Sequence, residues 1–174
     1  MLRPAFGTDG TITAGNASPV TDGASAVLLM SESRARTEGR EPLAWLEHIG
    51  YAALHPDQGL LMAPAVAVPR LLQRAGLTLG DIELIEIHEA FAAQVLANVA
   101  AWEQGWKGVA TGPVDWARVN VNGSSVAIGH PWAATGGRIL TTLAYEMARR
   151  SARRGLISIC AAGGMAGAML LTRD

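Results

Sequence analysis

Cysteine is almost absent from this 174-residue chain: Cys160 stands alone. One thiol forms no internal disulfide, so the fold is not stapled oxidatively and a reducing, cytoplasmic location is expected. Charge is also scarce, at 17% of residues with a formal net charge of −1. A chain with no basic excess lacks the electrostatic footprint of a nucleic-acid binder, and no nucleic-acid partner is expected. No basic segment followed by an apolar run opens the chain, and Asp9, Asp22 and several glycines break any such stretch, so no secretory signal is read. The longest uncharged run, residues 156–172, carries Gly163, Gly164 and Gly167 at its middle. It reads as two buried strands joined by a turn, with no membrane span.

Several chemical signatures are missing too. His88-Glu89-Ala90-Phe91 has alanine, not histidine, at position 92, so the zinc-protease spacing fails and no metal site is expected. Gly163-Gly164-Met165-Ala166-Gly167 has neither the phosphate-loop Lys-Ser/Thr nor a dinucleotide-binding glycine spacing. Five tryptophans and six methionines are scattered, which suits packing better than a cofactor box.

What is present is an alternation of strand and helix signals with 49% hydrophobic residues, enough for one good core. The opening, through Gly23, is dense in Gly, Asn, Asp, Ser and Pro and should be irregular. Residues 24–30 (Ala-Ser-Ala-Val-Leu-Leu-Met) suit a buried strand, and Ser31 a cap on a short charged helix reaching Arg36. A second strand is expected around residues 43–54. Pro69 should lie near the start of a helix through Leu71, Leu72 and Ala75 that Gly76 closes. Ile82, Leu84, Ile85 and Ile87 form a strand that delivers His88 to its end, followed by a helix with Phe91, Val95, Val99 and Trp102 as its apolar stripe. Residues 120–130 read as a loop, and Ile139, Leu143 and Met147 as the buried face of a further helix with a basic end.

Three residues at strand ends or in the loops beyond them have reactive side chains, where catalytic groups of α/β folds gather. On residue type alone, His88 is as consistent with a partly buried structural histidine as with a catalytic one. Glu89 reads as a first-turn helix residue. His130, clamped between Gly129 and Pro131, suits a preorganised base or oxyanion donor, although a turn-rich loop whose histidine fills space has the same composition. Cys160 ends an apolar strand. A thiolate there would act as base or nucleophile if a neighbouring histidine and local dipoles lowered its pKa, whereas a lone buried cysteine is more often inert packing.

Taken in order, residues 16–24 (Asn-Ala-Ser-Pro-Val-Thr-Asp-Gly-Ala), His88-Glu-Ala-Phe91, Asn122-Gly, Gly129-His-Pro131 through Gly136, and Cys160-Ala-Ala-Gly-Gly164 resemble the motifs of the C-terminal half of the thiolase family. The resemblance covers nearly the whole chain. Its histidine at position 88 is similar to the long-chain 3-ketoacyl-CoA thiolases of β-oxidation complexes, where many other thiolases have asparagine. It implies an α/β thiolase-like C-terminal domain over residues 1–174, with a mixed five-stranded sheet packed between helical layers and the N-terminal half and its loop domain absent.

The implied reaction is acyl transfer between coenzyme A thioesters: thiolysis of a 3-ketoacyl-CoA to acetyl-CoA, or the reverse Claisen condensation. By the same resemblance His130 deprotonates a nucleophilic thiol and, with His88, holds an oxyanion. Cys160 shuttles a proton at the acetyl α-carbon, and the Ala162 N–H serves a second oxyanion hole. Asn122, Gly129, Gly163 and Gly164 belong to substrate-binding loops. The implied partners are CoA and acyl-CoA, an N-terminal thiolase half or an intact thiolase subunit, and a homo- or hetero-oligomer, with no prosthetic group. The nucleophilic cysteine belongs to the family's other half, so a catalytically inactive binding or assembly module is the alternative. Ser124, Ala133 and Ala166 replace residues that are commonly glycine in the family, and their Cβ atoms are expected to strain the site loops.

Overall fold

The computed structural model describes residues 2–174. Its elements are α1 (Glu32–Thr37), β1 (Trp45–Ala53), α2 (Pro64–Ala75), β2 (Leu84–Ile87), α3 (Ala92–Gln104), α4 (Ser125–Ile128), α5 (Ala134–Arg150), β3 (Arg154–Ala161) and β4 (Met165–Thr172). The four strands form one mixed sheet in the order β1-β4-β3-β2. The β3–β4 hairpin is antiparallel and pairs Cys160 with Ala166. β1 runs antiparallel to β4, and β2 parallel to β3.

Helices cover both faces. On one, α2 and α3 enclose a core of Val68, Leu71, Leu72, Val99, Trp102 and Leu170. On the other, α5 lays Ile139, Leu143 and Met147 against Leu84, Ile157 and Leu171. The three α5 residues recur every four positions, so they form one stripe on a helix of 3.6 residues per turn. Trp102 is fully buried, and its indole N–H finds an acceptor in the Pro64 carbonyl at 2.9 Å. A buried N–H without an acceptor would cost about 1–3 kcal/mol.

The sheet has four strands where five were expected. The position of a fifth is occupied by Val119, which makes a single parallel bridge to Ile85. Asn120 then turns to φ 46° and ends the extension. Its side chain replaces the missing ladder: the Ile87 N–H donates to Asn120 Oδ1 at 2.7 Å, and Asn120 Nδ2 donates to the Ile87 carbonyl at 3.0 Å. A side-chain amide offers the same donor and acceptor as a peptide, so β2 is satisfied without a fifth strand beside it.

Two further expectations are corrected. Residues 24–30 are not a buried strand; they carry no ladder, and Leu28 and Leu29 are 80% and 65% exposed. A strand is made by its neighbour's hydrogen bonds, and among the described residues no strand pairs with this segment, which runs beside α5 with Ser25 Oγ donating to the Ala134 carbonyl at 2.8 Å. Pro69 does not open its helix: α2 begins at Pro64 and Pro69 lies inside it. Ser31 does cap α1, accepting from the Arg34 N–H, and Gly76 closes α2 in the left-handed conformation. Among the described residues no helix is long and apolar enough to cross a membrane.

Candidate active site

β2 ends at Ile87 and releases His88, whose N–H still donates to the Ser158 carbonyl of β3 at 2.9 Å. The backbone at His88 is therefore fixed by the sheet. His130 follows α4 and Gly129, and its N–H is held by the Pro19 carbonyl at 2.9 Å. Gly129 is required here: its φ is 109°, and an added Cβ would press on Thr21. These two anchors bring the imidazole rings together in a tilted arrangement, with centroids 4.3 Å apart and planes inclined by 45°.

Both rings border one cavity of about 510 Å³, which is also lined by Cys160, Ala162, Phe91 and Trp132. His88, His130 and the Cys160–Ala162 stretch, far apart in the chain, thus share a single chamber. Asn122, Gly129, Gly163 and Gly164 are not among its lining residues. Asn122 instead donates to Glu146 on α5 at 3.1 Å. Gly163 and Gly164 lie in the β3–β4 turn; Gly164, at φ 74°, sits against the Leu54 carbonyl and accepts the Leu54 N–H at 2.8 Å, which clasps the hairpin to the end of β1.

The site is electrostatically tuned by burial. His88 is 2% exposed, and its pKa falls to about 4 because desolvation, then the neighbouring His130, then Arg138 disfavour its cation. His130 is shifted the same way, by desolvation and by Arg138. Both rings are therefore neutral at neutral pH, each with one donor and one acceptor nitrogen. Cys160 moves opposite to the sequence-based condition for a thiolate: burial pushes its thiol up to about 11. It rests as S–H at neutral pH.

Several residues that organise this site carry no signal in the sequence. Thr135 Oγ1 lies 2.7 Å from His130 Nδ1, and Ser125 Oγ lies 2.8 Å from His88 Nδ1. Glu89 does more than begin a helix: its carboxylate accepts from Asn120 Nδ2 at 2.6 Å and from the Val126 N–H at 3.0 Å, fastening the loop that carries His130 to the loop that carries His88. The segment around Ser18 runs between the two histidine loops, bridging Ala17 to Phe91 and Val20 to His130. The expected backbone strain is not found. Ala133 has φ −60°, Ser124 has φ −134°, and Ala166 lies within β4, so none occupies the left-handed region.

A mixed sheet between helical layers, with two histidines and a cysteine converging on one chamber, defines an α/β domain whose reactive side chains gather at and beyond strand ends. Residues 40–173 match the family model "Thiolase, C-terminal domain", and residues 1–33 match "Thiolase, N-terminal domain". The chain belongs to the thiolase family.

Within it, the similar proteins include the 3-ketoacyl-CoA thiolase of Pseudoalteromonas atlantica, 50% identical over 181 residues, and that of Escherichia coli O81, 49% identical. Each alignment takes in 99% of this chain and 42% of the relative, so the chain spans less than half the length of the curated relatives it matches. Among solved structures, the Bacillus anthracis acetyl-CoA acetyltransferase superposes with a TM-score of 0.87 at 40% identity, covering 98% of this chain and 41% of that one. The human mitochondrial 3-ketoacyl-CoA thiolase superposes with a TM-score of 0.87 at 36% identity, covering 99% and 41%.

Proposed function

We propose that this chain supplies the acid/base and oxyanion half of a 3-ketoacyl-CoA thiolase reaction. The observation that carries the reading is the convergence of His88, His130, Cys160 and Ala162 on one chamber. The substrates are CoA and its 3-ketoacyl thioesters. The nucleophilic thiol comes from outside these 174 residues, since Cys160 is their one cysteine.

In the degradative direction, neutral His130 accepts the proton of that thiol, whose sulfur attacks the 3-keto carbon. The oxyanion is held by N–H donors, His88 and His130 being the side-chain candidates, and the C2–C3 bond then breaks with its electron pair passing into the thioester enolate. Cys160, resting as the thiol, donates its proton to C2, and acetyl-CoA departs. Within the chamber that both line, His130 passes the proton it took to the Cys160 thiolate, which restores the thiol and the neutral imidazole. CoA then loses its S–H proton to His130 and attacks the acyl-enzyme, with the Ala162 N–H as the donor to the second tetrahedral intermediate, and His130 returns that proton to the departing nucleophilic sulfur. A resting thiol is the protonation state that the C2 step needs.

The partner is a cysteine-bearing N-terminal thiolase half or an intact thiolase subunit, in a homo- or hetero-oligomer in the cytoplasm, serving fatty-acid β-oxidation. Two features support it. Residues 1–33 match the N-terminal domain model, and within them the consecutive Val27, Leu28 and Leu29 are exposed. Apolar side chains in such a contiguous run are covered in a working protein.

The test is a thiolysis assay with acetoacetyl-CoA and a longer 3-ketoacyl-CoA, on the purified chain and after adding an N-terminal thiolase half. Turnover in the mixture supports the reading. A folded chain that binds the added half and yields no turnover overturns it in favour of an inactive assembly module.

A further inference from the structure

Resting on the function proposed above, we propose that Ser125 is a positioning residue for His88, and that Arg138 sets the sense of the hydrogen bond between them. Ser125 is fully buried in α4, at 0% exposure, and His88 is buried beside it. Its Oγ lies 2.8 Å from His88 Nδ1, and Arg138 Nη2 donates to the same Oγ at 2.9 Å. The guanidinium group has donors only, so Ser125 is necessarily the acceptor in that pair.

The remaining choice is which way the Ser125–His88 bond runs. If Nδ1 carried the proton, Ser125 would accept twice and its own hydroxyl hydrogen would be left unpaired in the protein interior, which is unfavourable. If the hydroxyl donates to Nδ1, the Ser125 oxygen, its hydrogen and His88 Nδ1 are each used in an allowed role. The ring proton then sits on Nε2, the nitrogen that remains for the cavity.

The functional consequence is one of sign. An Nε2–H presents a positive dipole to a developing oxyanion, or to a water that supports one; the other tautomer presents a lone pair and repels it. Arg138 also opposes protonation of His88, as does burial, so the ring stays neutral and keeps this single donor. Ser125 touches no reacting atom in this scheme and works only through His88.

The proposal is tested on the full chain, labelled with ¹⁵N, by long-range proton–nitrogen spectra of the imidazoles at neutral pH, with His88→Gln used to assign the resonances. The expected result is a neutral Nε2–H ring for His88. Ser125→Ala and, separately, Arg138→Met should raise the Nδ1–H population several-fold while the backbone spectrum stays folded. In the reconstituted enzyme Ser125→Ala should lower kcat roughly ten- to a hundredfold, given that outright loss of an oxyanion donor costs on the order of a hundredfold or more, with KM little changed. A wild-type Nδ1–H ring, or a His88 tautomer unmoved by Ser125→Ala, overturns the proposal. The spectra are read without turnover, so a failure of the proposed activity and a failure of this assignment are separately visible.

Discussion

His88 and His130 meet with ring centroids 4.3 Å apart although 42 residues separate them in the chain. Each ring is oriented by a hydroxyl at its Nδ1, Ser125 for the first and Thr135 for the second. The pair is built from two backbone anchors and two side-chain props, and its chemistry depends on all four.

Thr135→Ala removes the prop at His130 and leaves a half-buried ring nitrogen without its partner. Turnover of the reconstituted enzyme should fall roughly tenfold or more, because a general base misoriented by a fraction of an ångström loses much of its advantage. Far-ultraviolet circular dichroism should be unchanged. Steady-state kinetics at several pH values separates this from unfolding.

Two buried groups give stability opposite slopes with pH. His88 titrates at about 4 in the fold against an ordinary 6.5, so the unfolded chain takes up its proton first and stability declines as pH falls from about 6.5 towards 4. Glu86 is raised to about 8, chiefly by burial and then by Glu89 and Glu146 against the opposing pull of Arg138. The unfolded chain ionises it from 4.5 upward, so its contribution is full below 4.5 and declines as pH rises towards 8. Glu86→Gln should raise the melting temperature at pH 8 and leave it nearly unchanged at pH 4.5, as differential scanning calorimetry would show.

Gly164→Ala should destabilise the hairpin clasp. The position has φ 74° and abuts the Leu54 carbonyl, so the methyl is both conformationally disfavoured and sterically opposed. A loss of about 1–3 kcal/mol is expected from denaturant titration. Trp102→Ala, which empties a fully buried site and leaves the Pro64 carbonyl without its donor, should cost about 3–5 kcal/mol.

Much of this architecture is legible in the sequence, and what is not has identifiable reasons. Ile139, Leu143 and Met147 announce a helix face because periodicity is a local property. Gly129 and Pro131 announce a constrained histidine for the same reason. Residues 24–30 mislead because strand formation depends on a neighbour that the sequence of the segment does not encode. The fifth strand fails at Asn120, whose side chain imitates a peptide group. Ser125, Thr135 and Glu89 act through contacts across 5 to 37 residues, so nothing in their immediate surroundings marks them.

The apolar run at Leu28 and Leu29 has a separate test. Burying a leucine contributes roughly 1.5–3 kcal/mol, so Leu28→Asp with Leu29→Asp should weaken binding to an N-terminal thiolase half by a hundredfold or more. The same variant should leave the melting temperature of the isolated chain within a few degrees. Isothermal titration calorimetry and thermal unfolding, run side by side, check both statements.

The central claim is that Cys160 carries a proton to and from the acetyl α-carbon, with His130 handling the thiols. It is tested most directly by following exchange of acetyl-CoA methyl protons into heavy water by NMR, in the reconstituted pair. Wild-type pairs should exchange, and Cys160→Ala pairs should lose exchange while still transferring acetyl groups between CoA thiols. Exchange that persists at the wild-type rate in Cys160→Ala would contradict the account.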